Sequence, residues 1–482
     1  MKIFNTLTKQ KEELNFLDKK IRMFVCGPTV YDYSHIGHAR TYIAFDMIAK
    51  YLRYLGYEVF YLQNITDIDD KIIDRAKSEN KDPLGLAKEF QEKYMEDMEN
   101  LGITSVTKYA PATEYIKQIV DQVKRLKEKN IAYLIPDEGY YFDLKRFPDY
   151  GKLSGRTVED AEDAVSRIDE STLKRNKGDF ALWKFSRPED EARSEGTAKP
   201  SEPSWQSELG AGRPGWHIED TAITEKEFDS PQYEIHGGSR DLIFPHHEAE
   251  IAQMESLSGK KPFVKLWMHT GFLTLNGQKM SKSLGNFITI RDLLKDQSPE
   301  AVRFMVLSTH YRSPIDFNDN LMNQAEAAVM RLREFVLNLE KADGKADLPT
   351  SQADEEKKSD YTNFFETHRK SIFEALDDDF NAPIAIAELF NLIREFNAPL
   401  HSGLISKTVA NQVLDLLKEI NGIFGFIPEK SIPLPDEIQN LVDLRETARN
   451  EKKFAEADEL RKQILTKGYK IDDTPYGPLV RK

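Results

Sequence analysis

Residues 22–38 read RMFVCGPTVYDYSHIGH. Residues 22–26 predict a short buried strand that ends on Cys26, the only cysteine of the chain. Gly27 and Pro28 predict a loop. From about Gly37 to Leu55 the residues Ile43, Met47, Tyr51 and Leu55 recur at near-helical spacing, and Gly56 supplies an end signal. Residues 57–63 (YEVFYLQ) predict the next strand. Strand, loop, helix and strand make a βαβ unit, so the sheet is expected to be parallel with a right-handed crossover. Ligands of such sheets bind at the C-terminal strand ends, where the quoted stretch sits. Its chemistry is ambiguous. A cysteine with two histidines suggests a metal, whereas histidines beside a glycine at a helix start suggest phosphate.

The phosphate reading has a physical basis. A helix N-terminus offers unpaired N–H groups and partial positive charge. Gly37 lets a ligand approach the backbone, and His35 and His38 share one face of the first turn. A second stretch, NGQKMSKSLGN at residues 276–286, places Lys279 and Lys282 in a Ser/Gly-rich loop. Lysines on such a loop can close over phosphates and stabilise charge that develops in a transition state.

The 482 residues suggest roughly three domains. A hydrophobic fraction of 40% beside 31% charged residues fits globular cores. One cysteine excludes an internal disulfide and CxxC zinc fingers. The opening MKIFNTLTKQKEEL lacks a long apolar core, so no signal peptide is expected. No run of about 18 apolar residues predicts a membrane span, and a cytoplasmic location is the default. A net charge of −14 argues against an indiscriminate nucleic-acid binder but not against a local basic surface.

Residues 86–130 read as helical, and residues 139–215 as an insertion and linker between two halves of the sheet domain. Short strands and helices return over 216–267. From Arg291 to about Phe426 the pattern is mostly helical, with an amphipathic segment at 325–342 and a helical pair at 371–397 broken near Asn381 and Pro383. A Pro-containing joint at 427–436 precedes a small C-terminal module. Residues 441–482 hold 10 Lys/Arg against 8 Asp/Glu, the reverse of the overall balance.

HIGH at residues 35–38 and KMSKS at 279–283 in one chain resemble the class I aminoacyl-tRNA synthetases. FVCGPTVYDYSHIGHAR, NITDIDDKI (64–72), GRPGWHIE (212–219), HGGSRDLIFPHHEAEIAQ (236–253) and ALDDDFNAP (375–383) narrow the resemblance to the cysteinyl-tRNA synthetases. It runs from about residue 2 to 477. It implies an α/β fold: a Rossmann-type parallel-sheet catalytic domain with an insertion, then a mostly α-helical tRNA-binding region and a small C-terminal module. The expected boundaries are 1–114 for the first catalytic half, 115–210 for the insertion and 211–268 for the second half. A stem-contact region with the KMSKS loop follows at 269–322, a helical bundle at 323–428 and an anticodon-binding module at 429–482.

The resemblance implies ATP against His35, Gly37, His38, Asp241 and Lys282, with His35, His38, Lys279 and Lys282 in catalytic roles. It implies the substrate cysteine near Cys26, Gly27, Thr66 and Trp216. It also implies one zinc ion per chain that recognises the substrate thiol, at Cys26, Asp220, His246 and Glu250. His246 and Glu250 are four apart and share a helix face. The familiar bacterial pattern has a second cysteine where this chain has Asp220. Zinc accepts sulfur, nitrogen and carboxylate oxygen, so the altered set is chemically possible, with Asp220 either a ligand or a close neighbour of the metal, and with fewer thiolates the metal is a stronger Lewis acid. His247 is expected to turn about 100° away from His246 and not to be a ligand.

The implied reaction joins cysteine to ATP and passes the cysteinyl group to tRNA(Cys), with Mg2+ accompanying ATP, no side-chain nucleophile, no editing domain and a monomeric protein. The family's usual tryptophan after DTPxG is absent, since the chain ends GPLVRK. Two other readings are a cysteine ligase acting on a small amino-sugar, which the C-terminal module argues against, and a non-catalytic synthetase-like RNA-binding protein, which the intact HIGH and KMSKS argue against.

Overall fold

In the computed structural model the described residues are 1–14, 16, 18–157, 171–186, 202–280, 287–342, 352–402, 404–428, 434–474 and 477–481. They form two compact units. The first comprises Met1–Pro299, Val306–Asn318 and Ala375–Pro383; the second comprises Glu300–Met305, Asp319–Glu374 and Ile384–Lys482.

The first unit opens with a hairpin, β1 (Lys2–Asn5) and β2 (Gln10–Glu13). The central sheet begins at β3 (Lys20–Val25), followed by α1 (Ile36–Tyr54) and β4 (Glu58–Ile65). This is the expected βαβ unit, with strand and helix bounds shifted by one or two residues. Helices α2 (Asp70–Glu79) and α3 (Pro83–Asn100) lead to β5 (Lys108–Pro111). The helical reading of 86–130 missed β5. Its four residues KYAP carry little strand signal of their own, and their pairing with β4 makes them a strand.

The insertion follows α4 (Ile116–Glu128). Strands β6 (Ala132–Ile135), β7 (Gly139–Phe142), β8 (Phe180–Phe185) and β9 (Gly212–Pro214) form an antiparallel sheet, so part of the region read as linker is structured. The chain re-enters the central sheet through α5 (Ile218–Phe228), β10 (Tyr233–Ser239), α6 (His246–Ser258) and β11 (Val264–Thr270).

The central order is β11-β10-β3-β4-β5, parallel throughout. From β3 the chain first builds outward through β4 and β5, then returns to lay β10 on the other side of β3. That reversal opens a crevice at the C-terminal ends of β3 and β10. Apolar residues cover both faces of the sheet: Phe24, Leu62, Ile218, Ile223, Ile251 and Trp267 share one core, and Met23, Val25 and Tyr61, which alternate with Phe24 and Leu62, are buried as well. Such two-sided burial explains why the strands read as apolar runs rather than alternations.

Beyond β11, β12 (Leu273–Leu275), β13 (Gln278–Lys279) and β14 (Ile315–Phe317) form a small sheet, with α7 (Ile290–Asp296) and α8 (Pro299–Leu307) between β13 and β14. The helices that follow are α9 (Asp319–Glu340), α10 (Gln352–Asp377), α11 (Ala382–His401) and α12 (Lys407–Phe424). In the second unit α9 packs on α12, and Leu332 and Phe335 of the one and Leu416 and Ile420 of the other are buried. The break expected near Asn381 falls at Asp379 and Phe380, which have φ of 62° and 51°. Last come α13 (Asp436–Asn450), α14 (Phe454–Thr466) and the hairpin β15 (Lys470–Thr474) with β16 (Gly477–Arg481), around a small core of Ile438, Val442, Ile464 and Ile471.

Candidate active site and metal centre

The His35–His38 turn begins α1. His35 is the N-cap, and its Nδ1 accepts from the Gly37 N–H at 3.0 Å. His38 Nδ1 accepts from the His35 N–H at 3.3 Å. The histidines therefore act as a reciprocal cap, a task usually given to Ser/Thr and Glu. Because both Nδ1 atoms accept, both rings carry their proton on Nε2, as donors. The rings stack, with centres 3.9 Å apart. Burial pushes His35 down to about 4, against a smaller opposing effect of the Asp241 charge. Burial and then His35 hold His38 well below the usual imidazole range. Both rings are neutral at pH 7.

Residues in and just after the KMSKS motif reach this turn. Phe287 meets His35 edge-on with ring centres 5.2 Å apart, and a Cβ on Gly37 would lie 3.4 Å from Met280. The backbone joins in: Ile36 N–H donates to Ile288 O, and Ile290 N–H to Ser34 O. Lys282 lies outside the described residues, as does the side chain of Lys279. Asp241 is exposed on the turn Arg240–Ile243 that follows β10.

On the other side of the β3 end lies a buried cluster. Cys26 N–H donates to Gly237 O, which ties the end of β3 to β10. Cys26 Sγ is 3.3 Å from Asp220 Oδ2. His246 Nε2 is 2.9 Å from that same oxygen and 3.4 Å from Glu250 Oε1. Ligand atoms of Cys26, Asp220, His246 and Glu250 all lie within 4.8 Å of one another, and all four residues are buried. The residues expected around the cysteine substrate join this patch. Asn64 Oδ1 accepts from the Gly27 N–H at 2.5 Å, while Asn64 Nδ2 donates to Asp220 Oδ1 at 2.7 Å. Thr66 Oγ1 donates to Glu219 Oε2 at 2.9 Å. Trp216 is 40% exposed and stacks on His246 with ring centres 4.3 Å apart. A Cβ at Gly27 would sit 1.7 Å from the Asn64 carbonyl oxygen, so only glycine allows this approach.

The residues fit a cation. Among the described residues, neither oxygen of fully buried Glu250 has a hydrogen-bond donor. Burying a bare carboxylate is costly. Accordingly, burial and then Asp220 push Glu250 well up. Burial, then Asp220 and Glu250, do the same to the Cys26 thiol. Among the described residues, the ion-pair partners of Asp220 and Glu250 are histidines alone. A divalent ion would supply the positive charge, and mixed sulfur, nitrogen and oxygen donors suit zinc.

Two family models match the chain: tRNA synthetases class I (C) catalytic domain over residues 13–327 and DALR domain over residues 372–428. The cysteine–tRNA ligase of Thermococcus onnurineus is 42% identical over 489 residues, covering 100% of this chain and 99% of that protein. Those of Thermoplasma acidophilum and Carboxydothermus hydrogenoformans are also 42% identical, covering 98% and 99% of this chain and the same shares of theirs. This chain belongs to the cysteine–tRNA ligase family. Its fold is also that of more distant class I enzymes. Mycobacterium tuberculosis methionyl-tRNA synthetase bound by methionyl-adenylate aligns with TM-score 0.60 at 15% identity, over 91% of this chain and 96% of that one. The LeuRS of Agrobacterium radiobacter K84, in a ternary complex with tRNA and LeuAMS, aligns with TM-score 0.61 at 12% identity, over 85% and 84%.

For this member of the cysteine–tRNA ligase family, sequence reasoning missed part of the cluster. His247 does not turn away. Its Nε2 is 3.1 Å from Cys26 Sγ, and its Nδ1 faces His269 at 2.8 Å. His236 Nε2 is 3.4 Å from the same sulfur. Cys26, His236, His247 and Glu250 thus form a second group of close ligand atoms that shares two members with the first. The expected rotation of about 100° between His246 and His247 does not carry the second ring out of the cluster. What it could not show is that Cys26 lies between the two directions, so both rings face the cluster. The adjacent HGG and HH of residues 236–247 were the available signal.

Proposed function

We propose that this cysteine–tRNA ligase family member joins L-cysteine to ATP as cysteinyl-adenylate and then transfers the cysteinyl group to a terminal ribose hydroxyl of tRNA(Cys). The observation that carries the reading is the end of β3. The buried Cys26, Asp220, His246 and Glu250 lie on one side of it, and the His35–His38 turn on the other. Zinc held by those four residues would bind the substrate thiolate and so separate cysteine from serine, whose hydroxyl ionises far less readily and is a harder ligand. A hydrophobic pocket alone separates such close analogues by only about 1–3 kcal/mol.

The chain's own groups do the rest by position. Gly27, Thr66 and Trp216 would line the cysteine. The Nε2–H groups of His35 and His38 would donate to ATP phosphate oxygens, with Gly37 allowing close approach and Asp241 near the ribose. Lys279 and Lys282 would bring positive charge to the same phosphates, and Mg2+ would accompany ATP. The cysteine carboxylate then attacks the α-phosphorus and pyrophosphate leaves, with no side-chain nucleophile. Cysteine-dependent ATP–pyrophosphate exchange, with and without a zinc chelator and alongside metal analysis, tests this. Exchange is expected with cysteine and not serine, to fall on chelation, with about one zinc per chain. Metal-free protein with full selectivity for cysteine would remove the zinc part, and absence of any exchange would remove the whole reading.

A further inference from the structure

The loop that leads into the His35–His38 turn is gripped from both sides by cations. The Arg291 guanidinium lies 4.8 Å from the centre of the Tyr33 ring. Tyr33 meets Phe90 of α3 edge-on at 5.3 Å, and Arg75 of α2 lies 5.0 Å from the Phe90 ring. Guanidinium, ring, ring and guanidinium thus form one continuous series of contacts, the two rings meeting edge to face. Cations over aromatic faces are attracted by the ring quadrupole, more strongly when partly desolvated. Each end is tied to a carboxylate. Arg75 Nη1 is 2.5 Å from Asp32 Oδ2, and Arg291 Nη2 is 3.0 Å from Asp97 Oδ1. Asp97 is fully buried, and neither of its oxygens accepts an aligned hydrogen bond. The contact is therefore one between a buried carboxylate and a partly exposed guanidinium. Arg291 also donates to Lys93 O at 3.0 Å and to Glu96 Oε2 at 3.3 Å.

Arg291 is the second residue of α7, and the residues just before it pair with the turn through Ile288 and Ile290. One short segment therefore meets the turn and the loop before it twice through backbone and through the side chains of Phe287 and Arg291. The turn's own caps are the two histidines expected to bind nucleotide, so their orientation needs support from outside. None of these four residues is among those expected to touch substrate. We propose that the Arg75–Phe90–Tyr33–Arg291 series positions the His35–His38 turn for ATP, which makes Arg291 and Tyr33 positioning residues for the nucleotide and not for cysteine. This rests on the reading of that turn as the ATP site.

The test is steady-state exchange on the full-length protein carrying Arg291→Ala, Arg291→Lys, Tyr33→Ala or Tyr33→Phe, with Tm measured for each. Arg291→Ala and Tyr33→Ala are expected to raise KM for ATP by about tenfold, with KM for cysteine within about twofold. Tyr33→Phe, which keeps the ring, should match the wild type. Arg291→Lys, which keeps the charge but not the planar stack, should fall between; it carries the test if the alanine variants unfold. An unchanged KM for ATP overturns the proposal. So does a parallel rise of both KM values that tracks the loss of Tm, because that marks a merely structural role. A wild type without exchange would instead remove the ligase reading beneath it.

Discussion

Asp220 is the residue on which the proposed zinc affinity turns. Its carboxylate lies between Cys26 and His246, where a thiolate is the familiar partner. Asp220→Ala should weaken zinc retention by roughly tenfold or more in chelator competition, and Asp220→Cys should strengthen it, because zinc prefers the softer ligand. The oddity of Asp220 was legible in the sequence, since it interrupts a motif. The approach of His236 and His247 to Cys26 was not: they belong to β10 and α6, and only the sheet order brings them to the end of β3. Asp97 makes a second prediction at this scale. Burial pushes it up to about 6 despite Arg291, with Lys93 and Glu96 as its other charged neighbours. A raised carboxyl favours the fold at low pH: that contribution is full below about 4 and is lost as pH rises through about 6. Asp97→Asn should flatten this part of the stability profile, as read by urea denaturation between pH 4 and 7 against the wild type.

At the scale of elements, the turn between α10 and α11 shows what the ALDDDFNAP motif does. Fully buried Asp379 accepts from the Phe4 N–H at 2.9 Å, the Tyr311 hydroxyl at 2.8 Å and Arg312 Nε at 2.7 Å. One carboxylate thus joins β1, the segment before β14 and the turn. Asp379→Ala leaves the Arg312 charge and a backbone donor without it, which should cost roughly 3 kcal/mol in denaturant unfolding. The motif was legible as a resemblance and a helix break, but its task was not, because its partners lie 67, 68 and 375 residues away in the chain. Strand β5 and the insertion sheet were hidden for a related reason. Their short strands carry weak local signal and exist through pairing. By contrast α1 and β4 were plain, since a long periodic helix and a strand buried on both faces write themselves into the order of residues.

At the scale of the whole molecule, the chain carries a net charge of −14, yet its family charges a polyanion. The C-terminal module, with its balance of 10 basic to 8 acidic residues from 441 to 482 and its own small core, is the place to test for RNA contact. Removal of residues 434–482 should leave cysteine-dependent exchange within about twofold of the full chain while lowering transfer to tRNA by more than about tenfold. Exchange and aminoacylation measured side by side check this; equal loss of both would locate the module's role in the fold. No helix among the described residues is long and apolar enough to cross a membrane.

The sequence by itself determined the parallel βαβ start, the helix start near His35–His38, the long helices and the family. Each is written in local spacing, where the periods of helix and strand translate order directly into geometry. The tertiary structure decided which groups meet the Cys26 sulfur, that Glu250 is left without a hydrogen-bond donor among the described residues, and that Arg291 and Arg75 close on Tyr33 and Phe90 from opposite sides. Those contacts depend on β10 lying against β3 and on α7 lying beside the loop before α1. Such adjacency between distant segments comes from how sheets and cores close, and no spacing within either segment encodes it.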